Sequence, residues 1–193
     1  GEEALTAYSG TVDRFPDNVV ARSGLAETLR QLGRGEEALT AYSGTVDRFP
    51  DDVFARTGLA ETLRQLGRGE EALTAYSGTV DLFPDNEVAR NGLATCRLQA
   101  GDIVGARALL ERLHYRTHQD WIAYHILAMS YLRDGAIAQA IPMFEHGLAS
   151  TPFATDRRYF ATALATARLR QRDYPAAERV LVLDFGSQYS QLI

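Results

Sequence analysis

His114 and His118 lie four residues apart. On a helix that spacing puts two imidazoles on one face, within reach of a single metal ion. Two ligands do not close a zinc site, and no Glu sits between them as in H-E-x-x-H. The pair therefore reads as solvated or helix-capping in preference to metal-binding. Cys96 is the single cysteine, which excludes an internal disulfide and any cysteine-based zinc site. It stands where earlier segments carry Thr28 and Thr62, so it reads as a small packed residue and not a nucleophile. Trp121, at the start of a helical stretch, reads as a packing residue. No catalytic, cofactor-binding or metal-binding residue is expected, and the chain is not expected to be an enzyme.

The elements that hold these residues come from a repeat. Residues 1–34 and 35–68 differ at three positions only, Asn18/Asp52, Val20/Phe54 and Ser23/Thr57, and a third copy begins at Gly69. The period of 34 persists in Ala4, Ala38, Ala72, Ala106 and Ala140, and in Gly33, Gly67, Gly101 and Gly135. Pro16, Pro50 and Pro84 share it, His118 replaces the next proline, and Pro152 restores it. After Pro152 the period slips by three residues, and Tyr174–Ala177 resumes the pattern. Such internal similarity points to a stacked repeat architecture.

Each block predicts two helices. From Asp51 to Leu66 the apolar residues Val53, Phe54, Leu59, Ala60 and Leu63 recur near a 3.6-residue period. Asp51 is the expected N-cap, and Gly67 the left-handed residue that ends the helix. The second helix is expected from about Glu70 to Leu82, closed by Phe83-Pro84.

A 34-residue helix–turn–helix unit with Leu25-Ala26, Leu29, Gly33, Ala38, Tyr42, Val46 and Pro50 in these places resembles the tetratricopeptide repeat. The Trp usual near the start of its first helix is replaced by Arg22, Arg56 and Arg90. The resemblance covers about residues 1–181 and implies an all-α, right-handed superhelical solenoid of about 11 helices. The expected organisation is a partial repeat 1–18, repeats 19–52, 53–86, 87–120 and 121–154, an altered last repeat 155–181, and a non-repeat tail 182–193.

The resemblance also implies that the first helix of each unit (helix A) lines a concave groove that receives a peptide or a partner helix. Its groove places fall on Val20, Ser23, Glu27, Arg30 and Gln31, then on Phe54, Thr57, Glu61, Arg64 and Gln65. The third set is Val88, Asn91, Thr95, Leu98 and Gln99, and the fourth is Ile122, His125, Met129, Leu132 and Arg133. Two of the three differences between the first blocks, Val20/Phe54 and Ser23/Thr57, fall at these places. The family's clamp for a C-terminal carboxylate needs Lys, and all 20 basic residues here are Arg. The expected function is thus a non-enzymatic protein–protein interaction scaffold, with a self-assembling repeat module as the alternative.

Net charge is −5, which argues against a nucleic-acid partner. No apolar run reaches the length of a membrane span, and residues 1–8 have neither the basic nor the apolar region of a signal peptide. A cytoplasmic location is favoured on these grounds. The chain looks cropped at both ends. Homo-oligomerisation is expected through the uncapped first helix, by way of Ala4, Leu5, Tyr8 and Val12, and through the tail. Residues 182–193, VLDFGSQYSQLI, closely resemble the opening strand and turn of the glutamine amidotransferase domain of GMP synthase, which adds a third reading as a fragment or regulatory arm of such a fusion. Nothing of that domain's catalytic core is present in the sequence.

Overall fold

A computed structural model of the chain describes residues 1–110 and 121–172. All regular structure in these residues is helical, and ten α-helices are present among them. The chain divides into two compact units, Gly1–Ala100 and Gly101–Ile193.

The first unit contains α1 (Glu2–Arg14), α2 (Val19–Gln31), α3 (Gly35–Arg48), α4 (Val53–Gln65), α5 (Gly69–Leu82) and α6 (Glu87–Gln99). Helices A are α2, α4 and α6, and helices B are α1, α3 and α5. Each A helix is started by a side-chain cap. The oxygens of Asn18, Asp52 and Asn86 accept from the backbone N–H of Ala21, Ala55 and Ala89 at 3.0, 2.7 and 2.8 Å, which satisfies an otherwise orphaned donor of the first turn. The cap of α4 is therefore Asp52 and not the expected Asp51, because Asp52 is the residue with extended backbone immediately before Val53. The A helices end at Gly33, Gly67 and Gly101, with φ of +75°, +76° and +87°. L side chains are disfavoured there, so glycine sets the turn into helix B. Helices B start with paired acids such as Glu36-Glu37, which complement the partial positive charge of a helix N-terminus.

The core is built from small residues that admit one large ring per repeat. Ala26, Ala38, Ala55, Ala60 and Ala72 are completely buried. Tyr42 of α3 lies against Gly58 of α4, and a Cβ added there would come within 2.3 Å of the ring. Tyr76 of α5 and Gly92 of α6 repeat the arrangement at 2.2 Å. The arginines that replace the usual tryptophan tie the helices together. Arg22 on α2 donates to the Gly44 carbonyl on α3 at 3.1 Å, and Arg56 donates to the Pro50 carbonyl.

The described part of the second unit contains α7 (Ile103–Leu110), α8 (Trp121–Arg133), α9 (Ile137–Ser150) and α10 (Ala154–Arg170). Gly135, with φ of +73°, again ends a helix A. Its core gathers Ala128, Ala140, Phe144, Phe160, Leu164 and Ala167. The buried positions Phe160, Leu164, Ala165 and Ala167 of α10 fall three residues later than a strict period from Ala123, Leu127, Ala128 and Ser130 would place them, which is the slip read after Pro152. Phe144 of α9 keeps the buried ring of helix B, and α10 adds a second one: Phe160 lies against Gly147 of α9, whose added Cβ would lie 2.1 Å from that ring.

Candidate functional site

Val20 of α2, Phe54 of α4 and Val88 of α6 occupy the same place in successive A helices and are 73%, 52% and 57% exposed. α2 packs directly on α4, and α4 on α6, so three apolar side chains repeat across adjoining helices within residues 1–100. Water-exposed residues of this size at one repeated place form an uncovered apolar row.

Two and three turns further along the A helices the polar groups are bound to one another. Arg30 donates twice to Glu27, at 2.9 and 2.6 Å, and Gln31 donates to the same carboxylate at 2.8 Å. Tyr42 of the following helix donates to it at 2.9 Å. Arg64, Gln65 and Tyr76 repeat this around Glu61, the tyrosine at 3.0 Å. Burial alone would raise the Glu27 and Glu61 carboxyls. The hydrogen bonds from arginine, glutamine and tyrosine outweigh it and hold both below the ordinary carboxylate value. Burial, and then the adjacent carboxylates, push the Tyr42 and Tyr76 phenols up.

Ser23 and Thr57 are buried in the structure, not open on the surface. The Thr57 hydroxyl donates to its own helix, to the Val53 carbonyl at 2.8 Å. Ser23 Oγ and Asn91 Oδ1 are buried with no hydrogen-bond partner. A cavity of about 520 Å³ opens over this region, lined by Ala4 and Tyr8 of α1, Val20, Ser23 and Glu27 of α2, and Phe54 of α4. Ala4 and Tyr8 belong to a B helix and were not among the expected groove residues.

In the second unit Ile122 is exposed, and His125 and Met129 are half-buried. His125 Nε2 is 2.9 Å from the Tyr159 hydroxyl, which also approaches Met129 Sδ at 3.7 Å. Tyr159 was not read from the sequence as a site residue. Burial lowers the His125 imidazole, against a smaller opposing effect of Asp156. Arg133 is exposed at the end of the same helix. Trp121 packs edge-on against Phe160, with ring centres 6.4 Å apart. Cys96 is a buried free thiol whose pKa burial raises, the environment of a packed residue. His114, His118 and the tail 182–193 lie outside the described residues. Among the described residues no group of three or more His, Cys, Asp or Glu could hold a metal ion, and no helix is long and apolar enough to cross a membrane.

A tetratricopeptide repeat model matches residues 1–61 and 63–129. The chain belongs to the tetratricopeptide repeat family. Solved structures share the fold. MamA (residues 41 to the end) from Desulfovibrio magneticus RS-1 aligns with a TM-score of 0.73 at 18% identity, over 92% of this chain and 98% of that one. The Cut9–Hcn1 hetero-tetramer of the APC/C gives 0.78 at 21%, over 95% of this chain and 36% of that one. PilF of Pseudomonas aeruginosa gives 0.77 at 18%, over 88% and 76%. At these identities the likeness speaks for the fold. No curated protein matches the chain in sequence. The amidotransferase resemblance of residues 182–193 finds no support in these comparisons, which lead to repeat proteins.

Proposed function

We propose that this tetratricopeptide array is a protein-binding scaffold, and that in residues 1–100 a partner segment docks on the face of helices α2, α4 and α6. The exposed row of Val20, Phe54 and Val88 carries the reading. Covering it removes three apolar side chains from water at about 25 cal/mol per Å², and clustered apolar anchors of this kind dominate binding energies. Glu27 and Glu61, further along these helices, are already bound by arginine, glutamine and tyrosine, so they do not call for a charged ligand. In the second unit Ile122, His125 and Met129 would serve as contact residues in the same way. Selection of binding peptides from a displayed random library, using the whole chain as bait, tests this. Phe54→Glu is expected to abolish capture of the selected peptides with unchanged far-ultraviolet circular dichroism. Undiminished capture by the folded variant would refute the assignment.

A further inference from the structure

Three side chains of the second unit converge on one point. His125 and Met129 lie four residues apart on α8, so helical spacing puts both on one face. Tyr159 of α10 brings its hydroxyl between them. The oxygen is 2.9 Å from His125 Nε2 and 3.7 Å from Met129 Sδ. An imidazole nitrogen and a thioether sulfur therefore face a common point, held by a hydroxyl. The imidazole is fixed in orientation, edge-on to Tyr159 and to the buried Phe160, with ring centres 4.9 and 6.0 Å away. The other two side chains can adjust. Met129 is half-buried and has three rotatable bonds, and Tyr159 is 46% exposed. Both contacts are longer than a metal–ligand bond of about 2.0–2.3 Å, so a cation at this point draws the sulfur in and sends the hydroxyl out towards water.

The donor set decides which cation fits. Calcium and magnesium take oxygen ligands, and structural zinc sites take four donors from Cys, His and carboxylate. Thioether sulfur is a soft donor that selects Cu(I), and imidazole suits copper as well. Neither donor is charged. Asp156, on α10 three residues before Tyr159, is the acidic group that acts on His125 electrostatically. One carboxylate balances one positive charge and leaves a divalent ion uncompensated. Burial favours the neutral imidazole, which is the form that ligates.

We propose that His125 Nε2 and Met129 Sδ form a site for a soft monovalent cation of the Cu(I) class, which enters by displacing the Tyr159 hydroxyl. The ion bridges one turn of α8 and detaches α10's tyrosine from it. The site does not rest on a partner segment being bound to the second unit.

Silver(I) is the probe, because it shares the charge and softness of Cu(I) and stays in one oxidation state. The experiment uses the full chain in chloride-free buffer, with methionine labelled at its methyl carbon. Cys96 is a competing soft donor and is changed to Thr, the residue at this place in the two preceding repeats. The chain has two methionines, Met129 and Met143, so the spectrum carries two methyl signals. One equivalent of silver should move the Met129 signal and leave Met143 in place. His125→Gln should weaken binding about a hundredfold or more, the upper end of what losing even an outer-shell partner costs. Met129→Leu, close in volume, should abolish the His125 ring shifts with unchanged circular dichroism. Tyr159→Phe, which clears the point, should bind at least as tightly. Binding should weaken as pH falls, because protons compete for the imidazole. Zinc(II) at the same concentration should leave Met129 unmoved. A Met129 signal that stays still in excess silver would overturn the proposal, since silver held elsewhere, at His114 or His118 for instance, does not reach that methyl. So would a shift of equal size and affinity in a folded His125→Gln variant, or an equal response to zinc.

Discussion

Gly58→Ala tests the packing that defines each repeat. The new methyl group would lie 2.3 Å from Tyr42 Cζ, 2.4 Å from Cε1 and 2.7 Å from the hydroxyl oxygen. Tyr42 is fully buried and has nowhere to retreat. To make room the ring must swing, which strains the core and pulls the hydroxyl off Glu27. Overpacking costs about 1–3 kcal/mol, and a weakened hydrogen bond to a carboxylate adds about 1–2 kcal/mol. Alanine's better helix propensity returns about 1 kcal/mol. The net expectation is a loss of about 1–4 kcal/mol from these three effects. Gly78→Ala is the control. It lies inside α5 with nothing within 4 Å of the added carbon, so only propensity acts, and stability should rise by about 0.5–1 kcal/mol. Gly24→Ala should fall between them, because the half-exposed Tyr8 that it meets can move aside. Urea unfolding followed by circular dichroism, compared as midpoints, reads all three. If Gly58→Ala is as stable as Gly78→Ala, the ring-on-glycine contact does not hold the repeats together.

Ala60→Leu, at a completely buried position, should cost about 1–3 kcal/mol and lower the melting midpoint; an unchanged midpoint would mean that the small residues do not mark close helix contacts. Glu27 and Glu61 are held below the ordinary carboxylate value of 4.5, so their contribution is complete above that pH and is lost as pH falls through the depressed folded values. Urea midpoints should therefore drop below about pH 4.5, and more shallowly in Glu27→Gln/Glu61→Gln; an identical acid limb in that double variant refutes the linkage. His125 is lowered from 6.5 by burial, so the second unit should lose stability as pH falls from 6.5 towards the folded value, and His125→Gln should remove the loss. The single tryptophan, Trp121, sits in that unit against Phe160, so its fluorescence reports that unfolding separately; a pH-independent midpoint would exclude buried neutral histidine.

The fold was legible because a solenoid is local. Each unit needs only its neighbours, so a 34-residue period in Ala, Gly and Pro carries the architecture without any long-range pairing to guess. The left-handed glycines and the A-helix boundaries followed from chemistry that leaves one choice at each place. The cap slipped from Asp51 to Asp52 because adjacent aspartates are equivalent in sequence, and only the backbone at the helix start tells them apart. The even period did not show the second ring of the second unit. There Phe144 keeps the helix-B place while Phe160 of helix A packs on Gly147, and a pattern that counts positions cannot see an added contact of that kind.

The interaction face was legible only as far as period alone could take it. Val20, Phe54 and Val88 stand exposed at places that the resemblance assigns to the groove. Ser23 and Thr57 share their face by helical spacing, yet they are buried, since neighbouring A helices close over them and leave Val20 and Phe54 standing above. Glu27 and Arg30 neutralise each other within one helix, as their three-residue spacing leads one to expect. The further hydrogen bond from Tyr42 comes from the next helix, 15 residues on, and the period of one helix does not show it. The pattern places side chains on a helix, and contacts between helices decide which of them a partner can reach.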